Sequence, residues 1–485
     1  ATMRPDAPVP LPQQAGSGSV LPANLRWFPS AAAAIAGFAF LLMELVWYRM
    51  LGPILGGSSY SFGLILCVAL LGIGVGGGIY SRFGQNKPAT LAGFAWTCAL
   101  EALCLMIPFA VGDGVAVATI ILRGFGALGF VGHVAVWTVV TSFVVLPAAI
   151  VSGYQFPLII ALFGKGDASL GRHVGIAYAT NTVGSIAGSL AGGFGLIPLL
   201  SAPGCWRAVG GLLAATALAT ATVALLVGQR RIAAMLPAAV GALAASLLLT
   251  TGPTAAWRHG GVGVGRSGQI SASKGTNDII ELLHAERRAN AWQADGVESS
   301  VAVSKRNGYS FFVNGKSDGN AIVDAPTQVM GGLIGAALVP AVRDAFVIGL
   351  GTGSTAGWLG RLPEIERVDV AELEPVILRV ARDCSAVNEQ VLDNPKVHIS
   401  IGDARELLQT SRRQYDLVFS EPSNPYRAGI ASLYTREFYE SAASSLRDGG
   451  VFLQWLQTYD VDGGTVDTVL ATLAAPCGDD CSGLA

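Results

Sequence analysis

Apolar residues fill the first half of the chain in runs too long and unbroken for the face of a soluble helix. The first covers 31–51, enough to cross about 30 Å of hydrocarbon. Further runs at about 60–80, 90–111, 134–163, 175–200, 206–228 and 232–251 predict seven membrane spans. An eighth across 115–131 would carry Arg123 at its middle, a costly position in lipid. The 134–163 run exceeds one straight span, so Pro147, Gly153 and Pro157 predict a kink or a tilt. Residues 1–29, rich in Pro, Gln, Gly and Ser, read as a flexible leader without the basic and apolar regions of a signal peptide.

Beyond about residue 252 the pattern shortens. Residues 252–325 read as a linker and a small β subdomain. Two alternating strands, 299–304 and 309–313, are joined through Asn307-Gly308, a strong hairpin signal. Residues 326–485 then alternate between helix and strand. A helix at 326–338 precedes strands at 345–350, 368–373, 397–401, 415–420 and 450–455, with helices at 375–390 and 435–447. This predicts an α/β doubly wound, Rossmann-like domain with a parallel sheet and ligands at the strand C-termini. After Leu470 no strand is readable, so the sheet edge is expected to be exposed and able to pair with a second copy in a homo-oligomer.

Composition sharpens the division. Thirteen Asp, Glu, Lys or Arg occur in the 222 residues 30–251, against 48 in the 234 residues 252–485. The first half is written for lipid and the second for water. With 52% hydrophobic and 13% charged residues over the whole chain, neither disorder nor an ordinary soluble protein fits, and a net charge of -2 gives no basic field for nucleic acid. Seven spans place Arg82/Lys87, Lys165/Arg172 and Arg230/Arg231 on one side with the leader, and the positive-inside rule then puts the polar half outside; eight spans return it inside. Nucleotide chemistry needs a cytosolic supply, so a cytoplasmic soluble domain on a bacterial inner membrane is the expectation.

Within the spans, Gly184, Gly188 and Gly192, and the pairs Gly72/Gly76 and Gly74/Gly78, repeat at the spacing that lets helices approach closely. Glu44, Glu101, Tyr178 and Asn181 are polar groups at membrane depth, read first as interhelical partners and second as a ligand path. Cys477 and Cys481 form a lone C-x3-C, and the five histidines are scattered, so no metal is expected.

The candidate chemistry sits at one rim. GLGTGSTAG follows the first strand of the doubly wound domain, and such a turn lets backbone N–H groups approach a ligand. Nicotinamide enzymes and sulfonium-cofactor transferases both use one. Glu372 ends the next strand, nineteen residues after Gly353, where a carboxylate accepts from two ribose hydroxyls. Asp403 follows the third strand and suits an adenine amino group, and EPSNP follows the fourth. Each acid alone reads equally as a helix cap or a surface charge. As a set they point to a nucleoside.

The segments VIGLGTGS, AELEP, GDARELL, YDLVFSEPSNP and LYTREFYESAASSLRDGGVFLQWLQ resemble the polyamine aminopropyltransferases. With NGKSDG and AYATNTVGSIAG, the architecture resembles the membrane-fused spermidine-synthase-like proteins over about 30–475. The resemblance implies decarboxylated S-adenosylmethionine as donor, with Gly349, Gly351, Thr352 and Gly353 along its thioether side. Glu372 would hold the ribose, and Asp403 with Ala404 the adenine. Glu421 and Asn424 stand at the catalytic positions, and Asp318, Asp324 and Ser423 are candidates for binding a small amine. Three departures from the family pattern stand out: Thr352, Glu421 and Asn424 each occupy a position where the family usually carries Asp. Methyl transfer from intact S-adenosylmethionine is therefore the first rival. A transporter or sensor with a nucleoside-binding domain is the second, and a nicotinamide dehydrogenase is the remotest.

Overall fold

The computed structural model describes residues 21–164, 170–263, 275–305, 308–427, 429–458 and 461–476. Most of the leader, Lys165, the turn residue Asn307, and Cys477 and Cys481 lie outside the described residues.

Among the described residues, six helices are long and apolar enough to cross a membrane. These are α1 (Phe28–Leu55), α2 (Ser59–Ile79) with its continuation to Gly84, α3 (Leu91–Val111), α5 (Phe130–Leu162), the run Gly171–Leu200 and α8 (Ala202–Leu226). The Gly171–Leu200 run joins α6 (Leu170–Ala191) to α7 (Ile197–Leu200) through a π-helical turn. Helix α9 (Arg231–Leu247) has 17 residues and also runs the length of the bundle. At its start Gln229 Oε1 accepts from Ala92 N (3.0 Å), at the N-terminal end of α3. Beyond its other end Thr254 bonds to Asp113, past the C-terminal end of α3 (2.8 and 2.6 Å). The 115–131 segment does not cross. It forms the nine-residue α4 (Gly114–Leu122) and a 3-10 turn, with Arg123 Nη1 donating to Val262 O (2.7 Å). An unpaired arginine at mid-membrane is avoided in this way. The 134–163 run is one 33-residue helix with Pro147 and Pro157 inside it.

Small residues set the helix contacts. A Cβ on Gly184 would lie 2.0 Å from Ala34 O, and one on Gly188 2.4 Å from Phe38 O, so α6 lies directly on α1. Gly72, Gly76 and Gly153 pack α2 on α5 in the same manner. Gly74 and Gly78 have nothing within 4 Å and make no contact of this kind. Asn181 Nδ2 donates across to Ala33 O (3.0 Å), an interhelical bond, while Tyr178 is exposed.

The soluble half starts with α10 (Ala255–His259) and α11 (Thr276–Ala289). A four-stranded antiparallel sheet follows: β1 (Asn290–Asp295), β2 (Ser300–Ser304), β3 (Ser310–Val313) and β4 (Lys316–Asn320). The sequence pattern showed only the middle two. NAWQAD and KSDGN lack the β-branched alternation that marks a strand, and are held by pairing with their neighbours.

Helix α12 (Ala325–Leu338) leads into five parallel strands: β5 (Asp344–Ile348), β6 (Arg367–Glu372), β7 (Val397–Ile401), β8 (Tyr415–Ser420) and β9 (Leu446–Gln454). Their order is β7-β6-β5-β8-β9. The connecting helices are α13 (Ser354–Arg361), α14 (Ile377–Asp383), α15 (Ala404–Thr410) and α16 (Arg436–Ser444), with α17 (Gly463–Ala474) after the last strand. Strand β5 is flanked by β6 on one side and β8 on the other, so the winding direction reverses between β5 and β8. A crevice opens outside the strand ends at such a reversal, and ligands bind there. The helix expected over 375–390 is shortened to α14, which ends at Asp383; turns follow, with Glu389 and Gln390 in left-handed φ of 55° and 52°.

Candidate active site

The loops leaving the C-terminal ends of β5, β6, β7 and β8 line the crevice. After β5, Gly349, Gly351 and Gly353 take φ of 94°, 52° and 80°. Only glycine holds this region without strain, so the turn is fixed by the sequence. It is also crowded: a Cβ on Gly353 would meet Val391 Cγ1 at 2.6 Å, and one on Gly349 would meet Glu421 O at 3.3 Å. The buried Asn388 braces the turn from behind, donating to Thr352 O (2.7 Å) and Ala381 O (2.7 Å).

Glu372 is buried at the end of β6. Its Oε2 accepts from Leu350 N (2.9 Å) and its Oε1 from Glu374 N (2.8 Å). Burial pushes its carboxyl above the usual range, and these amide bonds pull it back. A carboxylate offers about four lone-pair sites. Backbone amides, including that of Leu373, use part of this capacity, and the remainder is open to a diol such as ribose.

Asp403 behaves differently. It caps α15, accepting from Arg405 N (2.9 Å), and it is gripped by the Arg405 guanidinium (2.5 Å from Nη2 to Oδ2). That partner holds its carboxyl below the usual carboxylate range. Arg405 Nε also lies 3.1 Å from both carboxylate oxygens, so an adenine amino group would have to compete with Arg405 for Asp403. Ala404, buried, is the first residue of the capped helix.

The loop after β8 holds the reactive candidates. Glu421 N bonds to Ile348 O (3.1 Å), which fixes the loop beside the glycine turn. Glu421 Oε2 accepts from Thr355 Oγ1 (2.9 Å) on α13, and burial pushes its carboxyl up to about 7. Thr352 is buried, with Oγ1 bonded to Gln328 Oε1 (2.5 Å) and Ser354 Oγ (3.0 Å). Its hydroxyl is thus engaged within the protein.

Asn424, fully buried, accepts from Lys316, which lies in NGKSDG without a role assigned to it from the sequence. Lys316 is 1% exposed and also donates to Gln457 Oε1 (2.6 Å) and Ser423 Oγ (3.3 Å). Asp318, two residues on, accepts from Ser423 Oγ (2.9 Å) and pairs with Arg427 Nη1 (3.0 Å) and Lys316 Nζ (3.5 Å). Asp318 and Ser423 therefore meet with Asn424 in one cluster. Asp324 is not in it: its carboxylate accepts from Asn320 N (2.8 Å) and fastens the turn before α12. Thr355, Gln328, Glu374 and Arg427 also went unread. Thr355 and Glu374 lie within GLGTGSTAG and AELEP but have no assigned role there, and only the fold brings the four to the crevice. Among the described residues no group of three His, Cys, Asp or Glu side chains is placed to hold a metal.

Residues 328–474 match the spermine/spermidine synthase domain. The polyamine aminopropyltransferase of Nitrosomonas europaea is 34% identical over 117 residues, 24% of this chain and 36% of its own. That of Alkaliphilus oremlandii is 28% identical over 24% of this chain and 40% of its own, so the chain matches well under half the length of either relative. The polyamine aminopropyltransferase of Mycobacterium tuberculosis H37Rv is 26% identical over 467 residues, covering 90% of this chain and 79% of its own. A solved spermidine synthase from Thermotoga maritima is 17% identical, covering 39% of this chain and 64% of its own at a TM-score of 0.35. Among the described residues six long apolar helices thus precede a segment that matches the spermine/spermidine synthase domain, and the chain is similar to a polyamine aminopropyltransferase along 90% of its length.

Proposed function

We propose that the protein is a membrane-bound transferase that moves an aminopropyl group from decarboxylated S-adenosylmethionine to an amine acceptor. The observation that carries this reading is Glu421, a carboxylate beside the glycine turn with its pKa pushed up to about 7. An alkylamine reaches the site protonated, with a pKa near 10 like that of lysine. A base matched to neutral pH accepts that proton most effectively. The freed nitrogen attacks the carbon next to the sulfonium, the C–N bond forms, the C–S bond breaks, and the sulfur leaves as a neutral thioether. Glu372 is suited to the ribose, and the Asn424, Ser423 and Asp318 cluster to orienting the acceptor. The two substrates, held in line, supply much of the remaining acceleration. The cytoplasmic face of a bacterial inner membrane provides such a donor, and the lipid bilayer is the partner of the helical half.

Thr352 favours a second reading. With a neutral hydroxyl at this point of the turn, the site lacks the carboxylate that would pair with a propylamine, and methyl transfer from S-adenosylmethionine becomes the competing chemistry. Titration of the solubilised protein with both sulfonium compounds separates the two. Tight binding of the decarboxylated donor with release of methylthioadenosine is expected; binding of the carboxylated compound alone would leave methyl transfer standing. Glu421→Gln should lower turnover by roughly 10²–10⁴-fold while keeping donor affinity.

A further inference from the structure

The donor carboxylate is connected to the helical half by an unbroken chain of hydrogen bonds. Arg49, 8% exposed, sits near the end of α1 that meets the soluble half. Its Nη2 donates to Gly296 O (3.3 Å) and to Val297 O. One residue earlier, Asp295 accepts from Ala202 N (2.9 Å) at the start of α8 and pairs with Arg258, which also donates to Ser300 Oγ. The loop 296–299 is thus pinned to the bundle. That loop in turn supplies three donors to one oxygen of the buried Glu374: the N–H groups of Glu298 (3.0 Å) and Ser299 (2.9 Å) and Ser299 Oγ (3.3 Å). Glu374 N then donates to Glu372, whose other oxygen holds Leu350 N of the glycine turn.

The contacts are close enough to transmit a displacement. A Cβ on Gly296 would stand 1.8 Å from Glu374 Oε1. Glu372 and Glu374 are two buried carboxylates two residues apart, and like charges at that range repel strongly unless each is compensated. The loop donors are that compensation for Glu374. A second contact closes the other side of the crevice. Ser58, just after α1, forms an antiparallel bridge with Arg427, and a Cβ on Gly315 would lie 2.6 Å from Pro53.

We propose that the helical half sets the position of the donor-binding carboxylate: Arg49 holds loop 296–299, the loop holds Glu374, and Glu374 holds Glu372 against the glycine turn. Arg49 and Glu374 are positioning residues, and their effect on substrates rests on the reading of Glu372 as the ribose ligand. The membrane domain is then part of the catalytic apparatus rather than an anchor. Hydrogen exchange on the detergent-solubilised full chain without nucleoside reads the linkage directly. Arg49→Gln and Gly296→Ala should each speed exchange at 296–299 and at 350–353, and leave β7 unchanged. Faster exchange at 296–299 with wild-type exchange at 350–353 would overturn the proposal. Titration with methylthioadenosine supplies the second readout. Both variants should bind it at least ten-fold more weakly, with KM for the donor rising far more than kcat falls, and Arg49→Lys should recover part of the loss. Equal affinity in wild type and variants overturns the proposal. No binding by the wild type would sink the donor assignment instead, and the exchange arm would still judge the relay.

Discussion

At the residue scale, the site's behaviour with pH follows from one side chain. Burial raises Glu421 to about 7, while the Thr355 hydroxyl stabilises the charged form and works in the opposite direction. A base must be deprotonated, so kcat/KM should climb with pH through about 7 and then level off. Thr355→Val removes the donor without changing shape much, so the carboxyl pKa rises and the acid limb should move to higher pH; a pH–rate profile of both proteins tests this. Gly353 makes a structural counterpart. With φ of 80° and Val391 2.6 Å from a would-be Cβ, Gly353→Ala should cost about 1–3 kcal/mol and lower the melting temperature. Gly353 and Glu372 were readable because their chemistry is local: a turn needs glycine, and a strand end carries the acid. Lys316 was not, since nothing in KSDGN says that its ammonium will be buried against Asn424 and Gln457. Asp403 is legible both as a cap and as a ligand; the structure shows the cap and an ion pair with Arg405.

At the element scale, glycine stripes with the same spacing have different fates. Gly184 has no room for a methyl group, with Ala34 O 2.0 Å from its Cβ position, whereas Gly74 has nothing within 4 Å. Gly184→Ala should therefore separate α6 from α1 and cost about 1–3 kcal/mol. Gly74→Ala should be neutral or stabilising by up to about 1 kcal/mol. Thermal unfolding of the two variants in detergent makes the comparison, and equal melting temperatures would show that neither glycine seats a helix. Periodicity revealed both stripes but not which partner each would meet, because packing between helices is a property of pairs. The strands follow the same logic. β5, β6, β7 and β8 announce themselves as short apolar runs, while β1 and β4 exist only because β2 and β3 pair with them.

At the scale of the whole molecule, sidedness bears directly on the chemistry. The bundle places Arg26, Arg82, Lys87, Arg172, Arg230 and Arg231 at the end away from the soluble half. Arg49, Arg123, Arg207 and Arg258 lie at the near end, bonded to backbone carbonyls or, for Arg258, to Asp295. Among the described residues the margin is only six against four. The positive-inside preference acts through an excess of basic loop residues, and so modest a bias leaves orientation open to other constraints. The donor imposes one. A sulfonium nucleoside carries a fixed charge and does not cross hydrocarbon unaided, so the crevice must face the compartment that makes it. If the proposed donor is the substrate, the soluble half is expected in the cytoplasm. Cysteines introduced at the exposed Gln85 and Arg413 read this out with a membrane-impermeant maleimide on intact cells. Gln85→Cys should label from outside, and Arg413→Cys only after permeabilisation. The reverse pattern would put the site outside the cell, where no cytosolic sulfonium reaches it, and would remove the proposed donor while leaving the fold and the α1–Glu372 linkage intact.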